Sequence, residues 1–271
     1  MEVHFLGTGA AEGWPGLFCE CEMCERARVL GGKNVRTRSS IIIDGAYKVD
    51  LPPDNYLHML RHGFSLAEVK HLFITHTHYD HFHPDDLLMR RKPFAHIRDR
   101  KPLHIYGNRQ VLNSVMTIVK EHPEINIVTH LAEPLKPLEA DRIKALPLPA
   151  DHAENQVSLL YLFEMNGKTV LHGYDSGWFP EDTWRALKGY IIDLVILDCT
   201  NGALPYVKYH MGVKGVIETR RHMLSEGIAS KDTTFVATHF SHNGGLLHES
   251  LVSKLSPEGI QVAFDGLTIR L

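Results

Sequence analysis

Residues 70–81 read KHLFITHTHYDH. Leu72, Phe73 and Ile74 form a short apolar run, and four ligand-type side chains follow at once: His76, His78, Asp80 and His81. In an extended segment, residues 76, 78 and 80 face one way, because strand side chains alternate with a period of two. His81 breaks that period, so the chain turns there. Four such side chains from one short loop cannot all reach a single ion comfortably, but they can serve two neighbouring ions.

Three residues further along share the placement of this loop. His152 follows the apolar run IKALPLPAD, Asp175 closes TVLHGYD, and His239 closes FVATH. Each stands where a strand ends, so adjacent strands can deliver all of them to one sheet edge. Imidazole and carboxylate ligands suit Zn²⁺ well, and also Mn or Fe.

A second constellation lies near the N-terminus. FCECEMCERA, residues 18–27, places Cys19, Cys21 and Cys24 close together in a chain with four cysteines. Three soft ligands leave a tetrahedral zinc one short. Two residues can complete it: Cys199, or His242 in THFSH. A Cys21–Cys24 redox pair is disfavoured because no βαβ unit surrounds it. The GTGAAEG stretch from Gly7 to Gly13 misses the dinucleotide fingerprint by one residue, and WPG follows it instead of a helix.

The rest of the chain alternates short strands with helices. Asp44-Gly45 and Asn166-Gly167 mark hairpins. YIIDLVILDCT is apolar throughout, as a strand buried on both faces would be. DDLLMRRK reads as a helix and IQVAFDGLTIRL as a closing strand pair. Early hairpins and later strand–helix alternation predict an α/β (α+β) fold: two packed sheets covered by helices in one domain, residues 1–271. The 271 residues carry a net charge of -3 and 19 histidines. That balance supplies no field for nucleic acid or anionic membrane. The first residues, MEVHFLGTGA, have neither the basic region nor the apolar core of a signal peptide, so a cytoplasmic protein is expected.

The order Asp50, HTHYDH, His152, Asp175 and His239 resembles the motifs of the metallo-β-lactamase superfamily. The N-terminal GTG and CxCxxC with THxSH near the end are similar to its PhnP-like phosphodiesterases of the carbon–phosphorus lyase pathway. The resemblance implies a four-layer αββα sandwich with two divalent metal ions, Zn²⁺, Mn²⁺ or Fe. His76, His78 and His152 would bind one ion, Asp80, His81 and His239 the other. Asp175 would bridge them, and Asp50 would support a ligand. It further implies a structural Zn²⁺ on Cys19, Cys21, Cys24 and His242, in a Cys-rich loop at about residues 17–26. The expected reaction is hydrolysis of a small phosphodiester, a cyclic ribose phosphate or a 2′,3′-cyclic nucleotide, by a metal-bridging hydroxide. Asp80 and His210 are the candidate catalytic residues, His210 as general acid or phosphate contact. A homodimer is implied by the family alone. Neither a membrane nor a large nucleic acid is expected as partner. The alternatives are a PqqB-like cofactor-biosynthesis protein, or a thioester or lactone hydrolase on the same fold.

Overall fold

The computed structural model describes residues 1–98 and 101–271. Its first sheet contains β1 (Glu2–Gly7), β2 (Ser40–Ile43), β3 (Tyr47–Val49), β4 (His71–Phe73), β5 (Leu103–Gly107), β6 (Ile127–Leu131) and β14 (Thr268–Arg270). Its order is β14-β1-β2-β3-β4-β5-β6. The second contains β7 (Leu138–Ala140), β8 (Ile143–Pro149), β9 (Leu159–Met165), β10 (Lys168–Gly173), β11 (Leu194–Asp198), β12 (Thr234–Thr238) and β13 (Ile260–Val262). Its order is β13-β12-β11-β10-β9-β8-β7. The helices are α1 (Glu22–Leu30), α2 (Asn55–His62), α3 (Arg109–Glu121), α4 (Glu181–Leu187), α5 (Val213–Ser225) and α6 (His248–Leu255).

Both Gly-containing turns close antiparallel hairpins, β2–β3 and β9–β10. From β3 to β6 and from β10 to β13 the pairing is parallel. β2 is antiparallel to both its neighbours, yet Ile41, Ile42 and Ile43 are all buried, because the sheet is covered on both faces. Ile41 and Ile43 join the core between the sheets, while Ile42 joins Leu72, Ile105, Val111 and Val115 under α3. Between the sheets, Phe73 stacks on Tyr106 at 4.5 Å and meets Phe163 edge-on at 5.0 Å. α2 and α3 cover the first sheet, and α4, α5 and α6 the second, giving the αββα sandwich.

Three expectations change. β13 and β14 do not pair with each other: each is an edge strand of a different sheet, and the chain crosses between the sheets after Val262. Residues Pro84–Arg90 form a 3₁₀ helix, not an α-helix. The cysteine-rich stretch continues into α1, which starts with Cys21 as its N-cap. Two cysteines within the first turn hid its helical character.

The sandwich fixes where function can sit. β3, β4, β8, β10, β11 and β12 all run toward one edge; Asp198 ends β11, and the loops leaving the other strands carry Asp50, His76–His81, His152, Asp175 and His239. Gly7 permits the close approach at the end of β1, where an added Cβ would lie 2.0 Å from the Arg38 carbonyl oxygen.

Candidate active site

Side-chain hydrogen bonds fix the tautomers of the histidines at this edge. Thr75 donates its hydroxyl proton to Asp50, so it must accept from His76 Nδ1, 2.9 Å away. His152 Nδ1 donates to the Tyr209 carbonyl at 3.3 Å. Both residues therefore direct an Nε2 lone pair inward. Those two lone pairs lie 2.9 and 3.0 Å from His78 Nδ1. At most one proton can sit on that nitrogen, so three nitrogens converge with too few protons to join them.

The neighbouring group repeats the pattern. His81 Nδ1 donates to Asp50 at 2.6 Å, and Thr75 N–H donates to the same carboxylate at 2.8 Å. His239 Nδ1 donates to Thr200 Oγ1 at 2.7 Å, because that hydroxyl gives its own proton to the His239 carbonyl. The Nε2 atoms of His81 and His239 then face each other at 3.2 Å. Asp80 lies 3.2 Å and Asp175 3.1 Å from His81 Nε2. With both imidazoles neutral, every inward-facing group is an acceptor. Asp175 Oδ1 lies 3.0 Å from His239 Nε2, yet the pair lacks hydrogen-bond geometry.

Asp175 also lies 3.6 Å from His152 and 3.8 Å from His76, so it stands between the two groups. Each group has ligand atoms within 4.8 Å of one another and could hold a metal ion. Without metal, burial opposes charge here, but the surrounding carboxylates, Asp175 first, still raise His81 well above its ordinary pKa and lift His239 to about 10. Asp80 and Asp175 are held well below the usual carboxylate range: burial raises them, but His81 and His239 outweigh it. In the metal-free chain, protons on His81 and His239 take the place of cations.

His210 enters from the loop before α5. Its Nδ1 donates to the fully buried Asp198 at 2.6 Å, which leaves Nε2 for the cleft. Asp198 is itself fixed by the N–H groups of Thr200 and Met211. Burial lowers the His210 pKa, but Asp198 outweighs it and the net shift is upward. The loop is seated by Trp178 N–H on the Val207 carbonyl and by Tyr209, whose hydroxyl reaches Glu154. It packs so tightly that a Cβ on Gly177 would lie 2.2 Å from the Val207 oxygen.

His78, Asp80, His152, Asp175, Thr200, His210 and His239 line a cleft of ≈ 250 Å³ with Glu12, Asn201, Ser241 and Asn243. Trp14 and Trp178 do not line it: Trp14 is buried against α1, and Trp178 packs on Trp184 and His222. The basic residues Arg90, Arg91 and Lys92 line a separate pocket.

The cysteine question has a geometric answer. His242 Nδ1 lies 3.3 Å from Cys21 Sγ and 3.6 Å from Cys19 Sγ, and Cys24 completes a group within 4.8 Å. Cys199 is buried elsewhere, and no cysteine is in a disulfide. The Cys24 N–H brings the Cys21 thiol down to about 6, while burial pushes Cys24 up to about 12.

Thr75, Thr200, Asp198 and the Tyr209 carbonyl escaped the sequence reading. Asp198 carried a usable signal, since it ends the apolar run LVILD as the other site residues end theirs. The threonines and the carbonyl carried none.

The sequence model of the Beta-lactamase superfamily domain matches residues 52–240, most of the chain. The chain belongs to the metallo-β-lactamase superfamily. Within this superfamily, Ribonuclease Z of Staphylococcus carnosus (strain TM300) is 30% identical over 120 residues, 44% of this chain and 35% of that protein. The match thus spans about a third of that relative's length. Among solved structures, a diphosphatase from the PhnP family superposes with a TM-score of 0.76 at 24% identity, covering 100% of this chain and 97% of that one. Zn²⁺-bound PqqB from Methylobacterium extorquens gives 0.77 at 18% identity, covering 100% of both chains. At these identities the structures establish the metallo-β-lactamase fold and no more. The cysteine group lies outside the matched residues.

Proposed function

We propose that the protein is a metal-dependent hydrolase, a dinuclear phosphodiesterase acting on small diesters such as 2′,3′-cyclic nucleotides or cyclic ribose phosphates. The observation that carries the reading is the pair of converging, proton-deficient ligand groups flanking Asp175, beside a histidine with one free nitrogen. His76, His78 and His152 would hold one ion, Asp80, His81 and His239 the other, and Asp175 both. When bound, divalent ions of the zinc or manganese type acidify a water and neutralise charge on the non-bridging phosphate oxygens.

The chain's own groups supply the rest. Asp50 and Thr200 fix the imidazoles of His81 and His239, and Thr75 and the Tyr209 carbonyl fix those of His76 and His152. Outer partners of this kind hold ring orientation and tautomer. His210 gives its Nε2 proton to the leaving oxygen; Asp198, on the other ring nitrogen, keeps it protonated for that role. The small cleft favours a compact substrate over a folded polymer. In the same reading, residues 1–271 form one metallo-β-lactamase-fold domain. Residues 17–26 form its zinc loop, with Cys19, Cys21, Cys24 and His242 around one structural ion. His242 Nε2 lies 3.4 Å from Glu12, which leaves Nδ1 free toward the thiols.

The test is turnover of bis(p-nitrophenyl) phosphate and a 2′,3′-cyclic nucleotide by protein reloaded separately with Zn²⁺ and Mn²⁺, with His78→Ala as control. Turnover that disappears in the variant is expected. No turnover with either metal, on protein shown to carry two ions in the cleft, would overturn the proposal.

A further inference from the structure

The turn at residues 10–13 has one acidic side chain, Glu12, and the reaction as derived above does not use it. Its position is nonetheless fixed. Ala10 N–H bonds the Phe240 carbonyl, Gly13 N–H bonds the Ala10 carbonyl, and Gly13 has a φ of 67°. The turn is thereby held against Ser241 and His242. Ser241 donates its hydroxyl proton to Glu12 Oε1, and His242 Nε2 lies 3.4 Å from the same oxygen. Among the described residues no donor meets Oε2. Glu12 lines the cleft together with His78, Asp80 and His210. It thus brings one acceptor oxygen to the wall of a site meant for an anion.

The rest of that wall narrows the substrate. Among the described residues no lysine or arginine lines the cleft; apart from the ligand groups and His210, the polar side chains there are Glu12, Thr200, Asn201, Ser241 and Asn243. The adjoining groove, which shares Asn201 and His210, does contain a cation, Lys208. That ammonium lies over the Tyr209 ring at 4.4 Å and 3.9 Å from Glu154. A second phosphate held within the cleft, on the side away from Lys208, would therefore find a carboxylate and neutral amides. A hydroxyl would find an acceptor.

We propose that Glu12 determines substrate specificity by accepting a hydrogen bond from a hydroxyl of the substrate's neutral portion. The preferred class is then a phosphodiester whose remaining groups are uncharged and hydroxyl-bearing, such as a nucleoside 2′,3′-cyclic phosphate with a free 5′-hydroxyl. Sugars carrying an additional phosphate are rejected. This rests on the phosphodiesterase reading above.

The experiment compares kcat/KM for a nucleoside 2′,3′-cyclic phosphate, the same compound bearing a 5′-phosphate, and bis(p-nitrophenyl) phosphate, in metal-loaded wild type and Glu12→Gln. Wild type is expected to prefer the 5′-hydroxyl compound by about 10- to 100-fold, the range for a hydrogen bond to a charged group. In Glu12→Gln the amide oxygen takes the Ser241 proton, so the amide NH₂, a donor, replaces the acceptor on the cleft side. It should bring the two cyclic substrates close to parity, mainly through KM, and leave bis(p-nitrophenyl) phosphate within a few-fold. Zinc content of the cysteine group and melting temperature are measured beside the activity, because Glu12 also faces His242 Nε2, and the substrates are compared on one zinc-replete preparation. Glu12→Ser carries the same expectation of parity and keeps the comparison readable if the amide disturbs His242. A wild-type preference that survives in both variants, or a wild type that prefers the 5′-phosphate, would overturn the proposal while leaving the phosphodiesterase standing. Absence of turnover on all three substrates would overturn both.

Discussion

Two groups of histidines in this chain look alike in composition and differ in chemistry. In the cleft, the Nε2 atoms of His81 and His239 face each other and two carboxylates. Across the first sheet, His71, His104 and His130 form a row on β4, β5 and β6. His71 and His104 stack at 5.2 Å, and His104 and His130 at 5.1 Å. The row is closed by its own bonds: His104 Nδ1 to His130 Nε2 at 2.9 Å and His71 Nδ1 to the Tyr106 hydroxyl at 3.1 Å. It needs no cation. Burial lowers His71 to about 4 and lowers His130, whereas carboxylates raise His81 and His239 against their burial. A histidine cluster therefore points to a metal only when its nitrogens converge without protons to share.

The largest expected effect follows from emptying the cleft group. Asp175→Asn weakens both ligand sets at once, and turnover should fall to background with a loss of bound metal, measured by metal analysis beside the activity. His210→Ala should cost about 10²–10⁴-fold in turnover, the range for a lost general acid, with metal content unchanged. Normal turnover in that variant would remove His210 from the mechanism. Thr200→Val leaves the His239 imidazole without its anchor and should cost about 10–100-fold in metal affinity or activity.

Proton linkage separates the two groups more finely. Protons on His81 and His239 must leave before metal binds, so apparent metal affinity should weaken as pH falls. Metal titrations at several pH values, with proton release followed in parallel, check this. The row works on stability instead. His71 has a folded pKa below its unfolded value, so the unfolded chain binds more protons between the two. Its contribution is present above pH about 6.5 and lost as pH falls toward about 4. His71→Gln should flatten the acid side of the stability curve in denaturant melts. This is the smallest of the expected effects, because His172 and His248, also lowered to about 4 by burial, share the slope.

Much of the site was legible because metal ligands obey local rules. HTHYDH stands out against any loop, and His152, Asp175 and His239 each end an apolar run. The hairpin turns at Asp44-Gly45 and Asn166-Gly167 were equally local. What sequence could not show depended on contacts made across the fold. Cys199 and His242 were both admissible partners for CxCxxC until packing buried Cys199 away from it. The closing strands looked like a pair because each is apolar, yet each found an edge in a different sheet. Glu12 looked like a residue of a failed nucleotide motif, and its place at the cleft comes from a turn pinned to Phe240.

The most direct test of the central claim is a crystal structure of Mn²⁺-loaded protein with anomalous scattering recorded for the metal. The account predicts two peaks in the cleft, one on each side of Asp175, one bounded by His76, His78 and His152 and the other by Asp80, His81 and His239. A single peak that leaves either group without metal at saturating Mn²⁺, or no peak at all, would contradict it.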